Sequence, residues 1–411
     1  MSPHVFISRT WGARALFIVA ALNISVTGIY AQPANNAYLA GGCNTPQTPF
    51  CDALMAPVPN WSGHVFHLSQ NYPVTIRSDA QPWARFDPKT QLDKYLNAAL
   101  SYLFEGNIRP DPDLSFDPAL NTRRAWYNTP WQDVGISGRE FIHGLTRERV
   151  SKPYELGPQQ THQWSNYAVG FYNAPGGMTL GRVWKDHGNP DPAAALFPNG
   201  TFAAKLLFTT ASEAEVPYLK GAPQWQAYVY SDRNEPDPTA TSPRAVLDLR
   251  LLQIDVAVKD NRVSDTTGWV FGTFVYGGGP GGQSGIGWTN VAAVGGMWGN
   301  DPGYSGTGPL AQTRLNPEVH MPHVGYQGRL NGPIDAPTSS CLSCHSTGQV
   351  PPRALVPANG ADPALWFRNI KSGQAFDPGH QSTDYSLQTS VGLANFKANR
   401  AAGGLATPKE R

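Results

Sequence analysis

Apolar residues alternate with polar or small residues along two stretches in the middle of the chain. Residues 201–208 read Thr-Phe-Ala-Ala-Lys-Leu-Leu-Phe, and residues 252–259 read Leu-Gln-Ile-Asp-Val-Ala-Val-Lys. A period of two residues places one face of a β-strand in the core and is typical of antiparallel sheets. Residues 167–172 and 269–276 are rich in aromatic and β-branched residues. The sequence therefore predicts antiparallel strands between residues 166 and 276.

Glycine and proline are unusually frequent, with 42 Gly and 37 Pro among 411 residues. Average proteins contain roughly 12% of the two together, so this composition favours many turns and argues against a helical bundle. Helices are predicted near 90–104, 361–372 and 384–399. The predicted fold class is α+β and β-rich, an antiparallel sheet with flanking helices and long Gly/Pro-rich loops.

The N-terminus predicts export. Arg9 and Arg14 precede an apolar stretch that ends at Ala31, which is the order of features in a secretory signal peptide. An uncleaved N-terminal anchor and lipid attachment at Cys43 are the alternatives. A membrane span needs roughly 18 consecutive apolar residues, so we expect none in the mature chain. A net charge of +1 gives no electrostatic argument for nucleic acid binding, and the expected location is the periplasm.

The four cysteines fall into two pairs. Cys43 and Cys51 can form a small disulfide loop in an oxidising compartment, and two free thiols are the alternative. Residues 341–345 read Cys-Leu-Ser-Cys-His, which is the attachment sequence of a c-type haem. Two thiols at this spacing reach the two vinyl groups on one edge of the porphyrin, and the adjacent histidine becomes an axial ligand of the iron.

Two other functions of a Cys-x-x-Cys pair fit the sequence less well. A zinc site needs a second pair of Cys or His residues, and the chain has no second C-x-x-C. A thioredoxin-like redox pair follows a strand in a βαβ unit, whereas Pro and Gly surround this motif. The sequence therefore predicts one covalently attached haem c, held by Cys341 and Cys344, with His345 on the iron.

The sixth ligand of the iron decides between electron transfer and ligand chemistry. No Met follows His345, and His380 is the one histidine after it, so His345 and His380 are the predicted metal ligands. The upstream candidates are Met297, His320, Met321 and His323. For each candidate the alternative is a loop residue without iron contact, and an open sixth position also stays an option.

The strands and the haem motif together resemble the family of cytochrome P-460 and cytochrome c′-beta, which are exported monohaem proteins built on an antiparallel sheet. The matching stretches are 197–205, 254–259, 267–271 and 341–345. The resemblance implies that Lys205 stands where hydroxylamine-oxidising members join a lysine covalently to the haem ring. It also implies that Asp255 is the counterpart of a distal proton acceptor. The c′-beta relatives keep the fold without the cross-link.

The chain departs from the family pattern in its extra regions. We expect a signal peptide at 1–31, a loop-rich N-terminal extension at 32–160, and a β-rich monohaem domain at 161–411 with an insertion at about 277–340. The insertion is expected to cover one side of the haem.

Three functions remain open at this point. The first is one-electron transfer with a redox partner protein. The second is a haem enzyme that oxidises hydroxylamine or a related small nitrogen compound, with Asp255 and Lys205 as catalytic residues. The third is binding of a small gaseous ligand. Simple solvent exposure of Lys205, Asp255 and Lys259 on the polar side of their strands is the alternative to any role at the haem.

Overall fold

The computed structural model describes most of the chain from residue 50 onward. The described residues are 50, 68–76, 79–108, 116–132, 139–140, 144–234, 242–282, 285–357 and 361–401. They belong to one compact unit. The expected signal peptide at 1–31 and the Cys43–Cys51 pair lie outside the described residues.

The secondary structure is dominated by strands. The described helices are α1 (Leu92–Phe104), α2 (Ala174–Val183), α3 (Cys341–His345), α4 (Pro363–Trp366) and α5 (Leu387–Ala401). The described strands are β1 (Arg139–Glu140), β2 (Leu145–Arg147), β3 (Asn166–Tyr172), β4 (Phe202–Thr209), β5 (Gln224–Tyr230), β6 (Arg244–Lys259), β7 (Trp269–Tyr276), β8 (Val291–Met297), β9 (Thr313–Leu315), β10 (Gln349–Val350) and β11 (Gln381–Ser382). Helix α1 is amphipathic, with the buried Leu92, Tyr95, Leu96, Ala99 and Leu103 at helical spacing.

One large antiparallel sheet organises the described residues. Eight of its nine strands run in the order β1-β2-β3-β4-β6-β7-β8-β9. The ninth strand, β5, pairs with the first half of β6. Strands β10 and β11 form a separate two-stranded ribbon. The four strands predicted from the sequence are confirmed as β3, β4, β6 and β7, which lie side by side at the centre. The β-rich antiparallel class is therefore confirmed.

One face of the sheet, which we call the α1 face, packs against helix α1. Phe202, Ile254 and Val256 share a buried core cluster with Leu96 of this helix. Gly272 permits the close approach, because a Cβ atom at this position would lie 2.4 Å from Leu96 Cδ2. The apolar half of each alternating strand is therefore buried beneath α1.

The opposite face, which we call the α3 face, is covered by α3 and the C-terminal part of the chain. Phe271 and Val275 of β7 share a second buried cluster with Cys341, Leu342 and Tyr385. The sheet therefore has protein on both sides, and the polar half of each alternating strand meets the segment that carries the Cys-x-x-Cys-His motif.

Two of the regions treated as extra in the sequence contribute to the sheet itself. The segment 32–160 supplies α1, β1 and β2, and the segment 277–340 supplies β8 and β9. Strand β8 reads Val-Ala-Ala-Val-Gly-Gly-Met, and its small residues have little intrinsic preference for strands. It is a strand because β7 and β9 pair with it on either side. The segment 277–340 is thus only partly a loop.

The helix predictions differ in outcome. Those at 90–104 and 384–399 are confirmed as α1 and α5, whereas the one at 361–372 is wrong beyond Trp366. There the backbone turns to the loop at Asn300, whose Nδ2 donates to the Arg368 carbonyl at 3.0 Å and whose backbone N–H donates to Asn369 Oδ1 at 2.8 Å. None of the described helices has the length and apolar character that a membrane crossing requires.

Candidate functional site

The Cys-x-x-Cys-His motif forms the short helix α3, whose start is fixed by two serines. Ser340 Oγ accepts from the Ser343 N–H at 3.1 Å, and Ser343 Oγ accepts from the Ser340 N–H at 2.8 Å. This reciprocal capping satisfies two N–H groups that a helix start leaves free. Ser340 Oγ also donates to Asn300 Oδ1 at 3.1 Å. The motif is therefore held as a defined helical turn.

Both thiols of the motif are free and lie at adjacent turns of one helix face. Cys341 Sγ lies 3.7 Å from Thr273 Oγ1 and 3.7 Å from Asn331 Oδ1. Burial raises the pKa of Cys344 to about 12 and raises that of Cys341 as well. A redox-active Cys-x-x-Cys pair needs a lowered thiol pKa, so this environment does not favour thioredoxin-like chemistry.

His345 is oriented by one hydrogen bond. Its Nδ1 donates to the Tyr385 carbonyl at 2.9 Å. A carbonyl only accepts, so the proton is on Nδ1 and the lone pair is on Nε2, which is the tautomer of a metal-binding imidazole. Burial lowers the pKa of His345 to about 4, so the ring is neutral at physiological pH. The Phe271 ring packs against it at 4.8 Å between centroids.

Lys205, Asp255 and Thr273 form a row across the α3 face, because they are register partners on β4, β6 and β7. Thr273 Oγ1 donates to Asp255 Oδ1 at 2.7 Å and also contacts Cys341. The two residues singled out from the family resemblance, Lys205 and Asp255, are therefore brought together beside the Cys-x-x-Cys-His motif. Solvent exposure was the alternative for these residues, and both are half-buried.

Asp255 and the neighbouring carboxylate of Asp335 accept hydrogen bonds from the same side-chain amide, that of Gln253. Gln253 Nε2 donates to both Asp255 oxygens, at 3.0 and 2.8 Å, and to Asp335 Oδ2 at 3.0 Å. Burial, and then the Asp335 charge, raise the pKa of Asp255 to about 7, against the opposing effects of Thr273 and Lys205. A carboxyl with this pKa exchanges a proton near neutral pH.

Lys205 pairs with a residue that the sequence did not single out. Its Nζ lies 3.0 Å from Glu148 Oε2. Burial disfavours the ammonium, but the carboxylates of Glu148, Asp335 and Asp255 outweigh burial and raise the pKa of Lys205. Lys205 is therefore charged at neutral pH. Glu148 and Asp335 lie in polar segments without periodicity, and no local signal marks either of them.

Small residues line the α3 face beside this row. The side chains here add little bulk to the sheet surface, because the residues are Ala168 and Gly170 of β3, Ala203 of β4 and Ala257 of β6. Ala203 and Ala257 stay half-buried in the centre of the sheet. Lys205 keeps 32% of its side chain exposed. We call the space between the sheet and α3 beside Lys205 the cleft.

A small, partly open pocket lies on the same face near β2. Its lining includes Thr146, Ala168, Gly170 and Gln388, and its space is no larger than a single water molecule needs. A Cβ atom on Gly170 would lie 2.2 Å from Gln388 Nε2, so only glycine leaves room for this contact. The Gln388 side chain therefore packs directly on the sheet at Gly170.

The candidates for a sixth ligand differ in their surroundings. His380 is half-buried, and its Nδ1 lies 3.3 Å from the Pro378 carbonyl. His320 is exposed, and Met297 is buried in the second core cluster. His323 is different, because both of its ring nitrogens are enclosed, and the Pro333 backbone is the hydrogen-bonding group that acts on its pKa.

The surroundings of His323 connect it to the cleft. Burial lowers its pKa, while the carboxylates of Glu155 and Asp335 oppose this shift. The Asp335 carboxylate also acts on the pKa of His345 and of Cys344. His323, His345 and Cys344 therefore lie within the electrostatic reach of one carboxylate, that of Asp335.

Within the described ranges, no group of three or more His, Cys, Asp or Glu side chains is placed to hold a metal ion. Comparison with protein-family models, with curated proteins and with solved structures finds no match for this chain. The function is therefore argued from the geometry of the site.

Proposed function

We propose that the protein is an exported redox protein that carries one covalently attached haem c. Cys341 and Cys344 would form the thioether bonds, and His345 would bind the iron through Nε2. The observation that carries the proposal is the hydrogen bond from His345 Nδ1 to the Tyr385 carbonyl, made by the histidine that directly follows two free thiols on one helical turn. This bond fixes the imidazole in its metal-binding tautomer.

The residues present fit such a group. The thiols lie at adjacent turns of α3, and the facing sheet carries small, half-buried side chains at Ala203 and Ala257. When bound, the haem supplies a one-electron Fe(III)/Fe(II) couple. The combination of an antiparallel sheet with the Lys205–Asp255 pairing supports a place near the cytochrome P-460 and cytochrome c′-beta family.

The chain's own residues perform three tasks in this proposal. His345 stays neutral because it is buried, so its lone pair is available at physiological pH. The Tyr385 carbonyl holds the imidazole in orientation. The apolar ring of Phe271 packs beside the imidazole and excludes water from it. These are the conditions for a stable axial ligand.

One experiment tests the attachment directly. The full chain is produced with a bacterial haem-attachment system, exported, and weighed by mass spectrometry after denaturation. We expect the wild-type mass to rise by one haem, and the Cys341→Ala/Cys344→Ala double variant to gain none. Cys51→Ala is the matched control and should keep the haem. A wild-type chain that carries no covalent haem would contradict the proposal.

Among the candidates for the sixth ligand, His323 is better supported than His380. The Asp335 carboxylate acts on His323 as it does on His345, and the ring nitrogens of His323 are enclosed, whereas His380 is half-buried beside the Pro378 carbonyl. A second protein ligand keeps the iron coordination the same in both oxidation states, which suits an electron carrier. In that case a redox partner protein is the expected partner.

A second candidate function has an observation of its own. Asp255 has a pKa of about 7 and lies in one row with Lys205 and Thr273. A proton acceptor beside an open iron position would suit oxidation of hydroxylamine or a related small nitrogen compound, whose N–H and O–H protons must leave. In this function Asp255 accepts the proton, and Glu148 keeps Lys205 in place.

A further inference from the structure

A buried ion pair lies behind the haem motif, on the α3 face. Lys259 Nζ lies 3.1 Å from Asp384 Oδ2, and the two side chains are 6% and 0% exposed. Lys259 was expected to be exposed, as the last polar residue of the alternating pattern in β6. Instead the segment before α5 covers it. A buried ion pair often stabilises a protein no more than well-packed apolar residues would. The presence of this pair therefore needs a reason other than stability.

The carboxylate of Asp384 also joins three other parts of the chain. Asp384 Oδ2 accepts from the Phe197 N–H at 3.0 Å. Asp384 Oδ1 accepts from Trp269 Nε1 at 3.2 Å and from the Gly373 N–H at 3.2 Å. With Lys259, these donors satisfy both carboxylate oxygens. Asp384 is thus fixed to β6, β7 and two loops at once.

This fixed residue controls the backbone that His345 contacts. Asp384 and Tyr385 have φ values of 47° and 70°, so two consecutive non-glycine residues adopt the left-handed conformation. Such a conformation persists only where surrounding contacts impose it. The Tyr385 hydroxyl donates to the Ile370 carbonyl, so the side chain of Tyr385 is fixed as well. The Tyr385 carbonyl then accepts the proton of His345 Nδ1 at 2.9 Å.

We propose that the Lys259–Asp384 pair is a positioning device that holds the Tyr385 carbonyl against His345 and thereby sets how strongly this imidazole donates to iron. The inference rests on the proposed attachment of haem. A hydrogen bond at Nδ1 makes a histidine ligand more basic, and a more basic ligand stabilises the ferric state. Lys259 and Asp384 act through Tyr385 and touch neither the iron nor a substrate.

The test compares the haem-loaded full chain with its Asp384→Asn variant. Asparagine tolerates the left-handed conformation, so the change removes the charge without adding backbone strain. We expect a higher reduction potential and an iron–imidazole stretching band at lower frequency, because a loosened Tyr385 carbonyl weakens the bond to Nδ1. A purely structural role would lower thermal stability and leave both properties unchanged.

A milder variant and a matched control keep the test decisive. Trp269→Phe removes one donor to Asp384 and should shift both properties in the same direction by less. Asp260→Asn alters another buried carboxylate at the end of β6, whose partners are Arg262 and Tyr95 on the α1 face, and should shift neither.

The outcomes separate this inference from the function on which it rests. If Asp384→Asn does not accumulate, Trp269→Phe decides alone. Unchanged potential and unchanged band in the folded variants would overturn the positioning role while leaving the attachment of haem intact. A wild-type chain without covalent haem would overturn both.

Discussion

Asp255 titrates near neutral pH because burial and a second carboxylate outweigh its hydrogen bonds. Burial and Asp335 raise its pKa to about 7, while Thr273 and Gln253 stabilise the charged form. Only the deprotonated form accepts a proton, so any reaction that uses this base must speed up as pH rises through 7. The same residue in water would be charged throughout this range.

Replacing Asp255 tests the role of this base. If the protein oxidises hydroxylamine, the wild-type rate with an artificial electron acceptor should rise with pH and level off above about 7. Asp255→Asn should lower the rate by roughly 10²- to 10⁴-fold and remove this dependence, because no base remains. The measurement is the pH–rate profile of each variant.

Asp335→Asn is the matched variant for this measurement. It removes the carboxylate charge of Asp335, which shares the Gln253 amide with Asp255. The pKa of Asp255 should therefore fall, and the rising part of the pH–rate profile should move to lower pH. An Asp255→Asn variant with wild-type rate and profile would contradict the role of proton acceptor.

His323 provides a test of the electron-carrier function through the spin state of the iron. If it is the sixth ligand, the wild-type optical spectrum is low-spin, and His323→Ala should become high-spin and respond to added cyanide. The physical reason is that loss of the imidazole opens a coordination position. His380→Ala and His320→Ala serve as controls and should stay low-spin. A low-spin spectrum that survives His323→Ala would remove His323 from the site.

At the scale of elements, the sheet was more predictable than the contents of its α3 face. Strands β3, β4, β6 and β7 follow from local patterns of apolar residues. The same pattern assigned Lys205, Asp255 and Lys259 to solvent as the simplest alternative. Lys259 is buried instead beneath the segment before α5, and Lys205 and Asp255 are half-buried beside α3. Contacts across such long stretches of chain leave no local signal.

Gly272 tests the packing of α1 on the sheet. Gly272→Ala places a methyl group 2.4 Å from Leu96 Cδ2, so we expect the free energy of unfolding to fall by about 1–3 kcal/mol through overpacking. Urea denaturation of the two proteins measures the difference.

Gly157→Ala is the control, because its added methyl group would meet only Pro280 Cγ, at 3.7 Å. It should change the free energy of unfolding by less than about 0.5 kcal/mol. Equal losses in the two variants would contradict the packing described for α1.

For the molecule as a whole, the cleft is built from parts that are distant along the chain. Glu148, Lys205, Asp255, Asp335 and Tyr385 come from five separate segments. The sequence marked the Cys-x-x-Cys-His motif, Lys205 and Asp255, because residue type and spacing or a family resemblance carry that information. It could not mark Glu148, Asp335 or Tyr385, because their roles exist only once the segments meet in the fold.

The most direct test of the central claim is an optical spectrum of the full chain, matured with haem and freed of unbound haem by acid–acetone extraction. We expect a c-type spectrum in the extracted, reduced protein if Cys341 and Cys344 hold the haem covalently. A shift of the reduced band to longer wavelength would add a bond to Lys205. A colourless protein after extraction would contradict the account.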